Sequence, residues 1–263
     1  MGKRFLLPVI LLLSVYSHSF AQTATTWNGK GAAVVLTYDD AVNIDIDHVA
    51  PALDSFGFKG TFYVIGSSPV VDQRLAAWRA IAAEGHELGN HSSFHPCDGQ
   101  KPGRGFVTPE TDLSRYTIKR MRADVLLTNT LLQSIDGKTE RTFAYPCGDL
   151  TINDTPYYQY ISKDFVAARG VGGNISAINQ VDLSNINCYA INGQDADYMI
   201  NLVKKAQASH SLLVFLFHGV GGGHSLNVSG EAHTRLLEYL KSQEKNIWIA
   251  PMVDVARYIK QHR

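Results

Sequence analysis

Several short stretches of this 263-residue sequence carry side chains that could do chemistry together. Tyr38-Asp39-Asp40 sets two carboxylates side by side at the end of an apolar run. If one ligates a metal ion, the other is free to take a proton; a helix N-cap or a turn would use the same pair equally well. His91-Ser92-Ser93-Phe94-His95 spaces two histidines at i and i+4. On a helical turn both imidazoles would share one face, close enough to hold one ion. Two unconnected hydrogen-bonding histidines fit that spacing as well, and without the glutamate of an H-E-x-x-H pattern this is not a peptidase-type zinc helix. Phe217-His218 closes another apolar run with a single histidine, a placement that suits a structural imidazole as readily as a catalytic one. Gly221-Gly222-Gly223 just beyond lacks the Lys-Ser/Thr of a phosphate-binding loop and reads as a rim loop.

These groups must be positioned by the elements around them. β-rich apolar runs at residues 33–38, 60–65, 87–89, 142–145, 165–168, 212–217 and 247–250 read as strands. Helical patterns at 45–56, 72–83, 109–134, 155–162, 196–208, 230–241 and 253–261 separate them. Strands alternating with helices predict βα units around a parallel sheet, and about seven such units in one domain predict a distorted (β/α) barrel. In such folds chemistry gathers at the carboxyl ends of the strands. Asp39, Asp40, His91, His95, Pro146-Cys147-Gly148 and His218 all follow predicted strands, so one site is expected from several strand ends.

The chain has 24 basic and 24 acidic residues. Residues 2–21 read as an export leader: Lys3 and Arg4, an apolar run at 5–15, and a small-x-small site ending at Ala21. That run is too short for a stable membrane span. Cleavage would leave a domain of 242 residues, 22–263, with two basic residues gone and a net charge of −2. The balance argues against a nucleic acid or an acidic membrane surface as partner. Cys97, Cys147 and Cys188 permit at most one internal bridge, and buried or half-buried thiols are the expected state.

Taken in order, Thr37-Tyr38-Asp39-Asp40, the run Gly85-His86-Glu87-Leu88-Gly89-Asn90-His91-Ser92-Ser93-Phe94-His95, Phe143-Ala144-Tyr145-Pro146-Cys147-Gly148 and Leu216-Phe217-His218-Gly219 resemble the polysaccharide deacetylase family. This is the NodB-homology domain of carbohydrate esterase family 4, and the matching segments cover nearly the whole chain after the leader. The resemblance implies metal-dependent removal of acetyl groups from sugars. It makes Asp40, His91 and His95 ligands of one divalent ion, with zinc expected, and Asp39 the general base. His218 would be the general acid and the backbone N–H of Cys147 would hold the oxyanion. Leu216 would line the acetyl pocket, with Tyr145 and Pro146 beside the substrate.

Two departures from the family pattern stand out. Ala144 occupies the position of the arginine that usually orients the base; Arg169 at a strand end is the better substitute and Arg141 the weaker one. Arg169 is expected to grip Asp39 through a two-pronged hydrogen bond that lysine cannot reproduce. The Asp-and-Trp motif before the last strands is also missing between 181 and 189, so Tyr189 or Trp248 is expected to wall the acetyl pocket instead. The reading is therefore an exported, periplasmic or secreted deacetylase acting on N-acetyl groups of a glucosamine-containing polysaccharide. An O-acetyl esterase on xylan or a similar glycan, and a catalytically silent sugar-binding domain, are its rivals. The expected partner is an acetylated carbohydrate polymer or oligosaccharide, and no protein partner is inferred.

Overall fold

The computed structural model describes residues 1–2 and 26–263, so the expected leader at 2–21 lies outside the described residues almost entirely. No described helix is long and apolar enough to cross a membrane.

The sheet is built on β1 (Ala32–Asp39), eight residues all of them buried. Followed in chain order, the other strands are β2 (Thr61–Val64), β3 (Glu87–Asn90), β4 (Phe143–Ala144), β5 (Ala168–Arg169), β6 (Tyr189–Ala190), β7 (Leu212–Phe217) and β8 (Ile247–Ile249). All pair in parallel, in the order β5-β4-β3-β2-β1-β7-β6, while β8 pairs with the first residues of β1. The sheet curls until its edges approach: Ile186, just before β6, bridges in parallel to Arg169 of β5. The expected distorted (β/α) barrel is what forms.

Side-chain alternation along β1 sorts the core. Val34, Leu36 and Tyr38 pack outward with residues of the helices α1 (Ala50–Phe56), α3 (Leu75–Ala83), α5 (Ala196–Ala208) and α6 (Gly230–Ser242). Ala33 and Val35 belong to a second cluster with Val214, Leu216 and the residues of the last helix, α7 (Met252–His262). Asp39 ends the row of Ala33, Val35 and Thr37, so parity alone turns it inward.

Some elements depart from expectation. The predicted helix at 155–162 is replaced by a small hairpin and the short turns Tyr158–Tyr160 and Ser162–Asp164. Asn153 and Asp154 adopt φ of 46° and 64°, which turns the chain back on itself. The helix expected from 109 starts only at Ile118, where the Thr117 hydroxyl caps the Arg120 amide, and runs to Asp136 as α4. The helix expected at 72–83 is broken at Arg74 into α2 (Pro69–Gln73) and α3. Strand β6 was not expected, and the strand expected at 165–168 is shifted to Ala168–Arg169.

Candidate active site

A cleft of about 670 Å³ opens at the carboxyl end of the barrel, and Asp39, Asp40, His91, His95, Arg169 and His218 all line it. The backbone is bent to bring them together. Asp40 (φ 80°), Ala41 (54°), Ser92 (61°), His95 (47°) and Cys147 (56°) are five of the nine non-glycine residues with positive φ among the described residues. Left-handed conformations of this kind cost energy and collect where the surrounding structure holds them for function. In an uninterrupted strand Asp40 would point away from Asp39; its left-handed turn, with its amide bonded to Tyr63 O at 3.1 Å, swings it into the same cleft.

His91 and His95 do not meet on a helical turn as expected. They lie in an irregular loop after β3 whose left-handed residues break any helix. The Asn90 carboxamide accepts from the Ser92 amide at 2.7 Å, and the Ser92 hydroxyl accepts from the His95 amide at 3.0 Å. Asp124 of α4 accepts from the Ser93 amide at 2.5 Å, which pins the loop from behind. The two imidazole centroids end 4.6 Å apart. Nδ1 of His91 lies 2.9 Å from Ala144 O, and because a carbonyl only accepts, Nδ1 carries the hydrogen and Nε2 presents a lone pair.

That Nε2 lies 3.5 Å from Asp40 Oδ1, and Nε2 of His95 lies 3.7 Å from the same oxygen. Asp40 Oδ1 is buried and has no hydrogen-bond partner among the described residues. Burial, the largest influence, pulls the His91 pKa down to about 3 and that of His95 to about 4, so both rings are neutral donors near neutral pH. Burial raises the Asp40 pKa, and the Asp39 charge adds to it. An orphaned carboxylate oxygen facing two neutral imidazole nitrogens suits a divalent ion, and two nitrogens with one carboxylate oxygen is one of the ligand sets that catalytic zinc sites use. His95, Cys97 and Cys147 also lie close together, but Cys97 and Cys147 are bonded to each other, so they offer no thiolate.

Asp39 is buried against Arg169, whose Nη2 donates to both carboxylate oxygens at 2.7 and 2.5 Å. The expected contact is therefore present in a different form: one nitrogen bridges both oxygens, while Nη1 turns to Gly170 O at 3.3 Å. Burial, the largest influence, would raise the Asp39 pKa, but Arg169, His91 and His218 together outweigh it, and the carboxyl is held below its usual range. Arg141 is equally buried but far from this chemistry, bonded to Asp136 at 3.2 Å and Leu88 O at 2.8 Å.

The cysteines differ from expectation. Cys97 and Cys147 form a disulfide across 5.7 Å of Cα separation, and Cys188 is the buried thiol left over. Strand ends far apart in sequence bring the bridged pair together, which spacing alone does not reveal. Tyr145 and Leu216 line the cleft; Pro146 is buried outside its lining, where it opens the turn that places Cys147. Trp248 pairs opposite Ala33, six residues from Asp39 and so about 20 Å down the strand, and Tyr189 is also absent from the lining. The apolar side chains that do line the cleft include Phe106, Val171 and Leu226.

A further histidine of the cleft, His224, also had no role in the sequence reading. Gly221, Gly222 and Gly223 take φ of 72°, 134° and 83°, a path that L side chains rarely follow, and they deliver His224 to the cleft. Its ring stacks on His218 at 4.9 Å. The Leu226 amide donates to its Nδ1 at 3.0 Å, which puts the hydrogen of the neutral ring on Nε2, 3.5 Å from Asp40 Oδ2. His218 itself has Nε2 3.9 Å from the same oxygen, and burial lowers its pKa. The signal was present as a second histidine six residues after His218 across three glycines.

Comparison with known proteins agrees with this geometry. The chain is 26% identical over 265 residues to a gellan lyase of a Bacillus species, covering 93% of this chain but 10% of that protein. It is 23% identical over 213 residues to a peptidoglycan-N-acetylglucosamine deacetylase of Bacillus cereus, covering 81% of this chain and 64% of that one. The chain thus spans less than two thirds of either relative. Its fold is similar to the crystal structure of a putative polysaccharide deacetylase from Mycobacterium smegmatis, with a TM-score of 0.61 at 14% identity over 89% of this chain and 91% of that one. Residues 27–164, just over half of the sequence, match the family described as polysaccharide deacetylase, and the chain belongs to that family.

Proposed function

We propose that this protein is a metal-dependent hydrolase that removes N-acetyl groups from a glucosamine-containing polysaccharide, and that it works after export. The observation that carries the reading is the orphaned Asp40 Oδ1 facing His91 and His95, with the ionised Asp39 beside it. Asp40, His91 and His95 would hold one divalent ion, with zinc the best fit to that donor set. Such an ion supplies Lewis-acid polarisation of an acetyl carbonyl and makes a nearby water more acidic.

The chain's own groups do the rest. Asp39 takes a proton from the attacking water, and Arg169 keeps that carboxylate ionised and aimed. Leu216 packs the acetyl methyl group, and the Cys147 N–H faces the oxygen on which negative charge develops. His218 returns a proton to the leaving nitrogen; an imidazolium with a lowered pKa gives that proton up readily to a basic amine. The products are acetate and a free amine. His224 Nε2–H steadies Asp40 Oδ2 and its ring supports His218. Support for export comes from the leader-like segment and from the Cys97–Cys147 bridge, a bond that persists in oxidising compartments.

Acetate release from N-acetylglucosamine oligomers and from O-acetylated xylan oligomers tests the reading, with and without a chelator. Release from the N-acetylated oligomers, stopped by chelation and restored by zinc, is the expected result. Faster release from the xylan oligomers would move the assignment to an O-acetyl esterase, and no release from either substrate would overturn it.

A further inference from the structure

One wall of the cleft is left unused by the acetyl chemistry. The irregular stretch 96–117 is stapled to the turn after β4 by the Cys97–Cys147 bridge and carries Arg104 and Phe106 into the cleft. Arg104 Nη2 donates to Cys147 O at 3.0 Å and reaches Asp149 Oδ1 at 3.4 Å. Asp149 is buried and already holds Lys101 Nζ at 2.5 Å and the Asp98 amide at 2.8 Å. Two cations therefore share one carboxylate. Of the acids that line the cleft itself, Asp39 is bonded to Arg169 and Asp40 lies against the His91 and His95 imidazoles.

Arg104 thus shares its one acidic partner with Lys101, and its side chain is only 17% exposed, where water screens a charge poorly. Both hydrogen bonds of Arg104 leave from Nη2, so Nε and Nη1 remain for a ligand among the described residues. Phe106, two residues on, lines the same cleft with 64% of its surface exposed, a large aromatic face without a protein cover. Guanidinium groups recognise carboxylates, and aromatic faces pack against the apolar C–H face of a pyranose ring.

We propose that Arg104 and Phe106 form a subsite for a carboxylate-bearing sugar flanking the acetylated one, so that the substrate class is an anionic acetylated glycan. The proposal rests on the deacetylase reading for its placement. The carboxylate could belong to a uronic acid or to a lactyl ether on a hexosamine, and the chemistry at Arg104 is common to both.

The test uses tetrasaccharides in which N-acetylglucosamine alternates with glucuronic acid or with its own 3-O-lactyl ether, each as the acid and as the carboxamide. For at least one pair, wild-type kcat/KM is expected to fall about tenfold or more on amidation, through KM, with a smaller difference at high salt. The pair showing the effect identifies the source. Arg104→Gln should bring the acid-to-amide ratio close to one, and Arg104→Lys should keep part of it. Phe106→Ala should raise KM for acid and amide alike, with Phe106→Trp restoring it. Amidation without effect in the wild-type protein, or an acid-to-amide ratio that survives Arg104→Gln, overturns the subsite. Calorimetric binding of the same acids and amides reads the ratio without turnover, so a protein that binds by charge but releases no acetate would refute the deacetylase reading alone.

Discussion

Glu87 and Asp40 are carboxylates set into the same barrel, and their surroundings are opposite in kind. Glu87 opens β3, and every donor around it belongs to the protein. Oε1 accepts from the Thr142 amide and hydroxyl at 2.7 Å each, and Oε2 from the Thr61 hydroxyl at 2.8 Å and the Val253 amide at 2.9 Å. The Val253 amide also belongs to the first turn of α7, where a negative charge is favoured. Asp40 follows the end of β1, lies in a left-handed conformation beside another carboxylate, and leaves Oδ1 without a partner among the described residues. Burial raises the pKa of both groups. What separates a structural carboxylate from a functional one here is the completeness of its hydrogen bonding, since both are withdrawn from water.

The sharpest way to break this contrast is to neutralise each carboxylate by its amide. Glu87→Gln turns an NH₂ toward groups that already donate, and a loss of about 2–4 kcal/mol is expected in denaturant unfolding, with metal binding intact. Asp40→Asn should do the reverse. Metal affinity should drop more than about 100-fold, while the metal-free protein keeps its stability because repulsion with Asp39 is relieved. Equal stability losses in the two variants would erase the distinction.

A smaller effect is expected at His224, which lies against Asp40 Oδ2 but is not one of the three proposed ligands. His224→Ala should weaken metal binding by about 10-fold or more, the usual size for a residue that supports a ligand. His224→Gln, which keeps an N–H near the same place, should recover most of it. Equal affinities in the two variants would mean that the ring acts only as packing. The smallest effect belongs to His233, which resembles Glu87 in being satisfied within the protein, with Nε2 2.8 Å from the Tyr38 hydroxyl. Burial holds its pKa at about 4, below the usual histidine value. The unfolded chain therefore binds the proton first, and His233 contributes stability that is present above about pH 6.5 and lost as pH falls toward 4. Between pH 6.5 and 5.5 the wild type should lose about 1 kcal/mol more than His233→Gln, measured by urea unfolding. Parallel pH curves would exclude this.

The same contrast marks what could be read from the sequence. Asp39, Asp40, His91, His95, His218 and Arg169 stand at strand ends, and strand ends are visible as apolar runs that stop. Their convergence follows from the parallel order of the strands. The loop geometry was not visible: nothing in His91 to His95 announces left-handed residues at Ser92 and His95, and a helical turn was the simpler expectation. The Cys97–Cys147 bridge, the lining of the cleft by Phe106, Val171 and Leu226, and the delivery of His224 depend on contacts between distant segments. Trp248 was misplaced because its strand pairs with the beginning of β1 rather than its end.

In the proposed reaction Asp39 and the group of Asp40, His91 and His95 have separate tasks. That division is tested by measuring metal content and acetate release in parallel on zinc-loaded wild type, Asp39→Asn and His91→Ala, with folding followed by circular dichroism. Asp39→Asn leaves Arg169 buried without its counter-charge, so it should unfold at a lower temperature. This division of tasks predicts one equivalent of metal and acetate release in the wild type. It predicts one equivalent with release reduced about 1000-fold or more in Asp39→Asn, and neither metal nor release in His91→Ala. Wild-type release by folded Asp39→Asn, or a full equivalent of metal in His91→Ala, would contradict it.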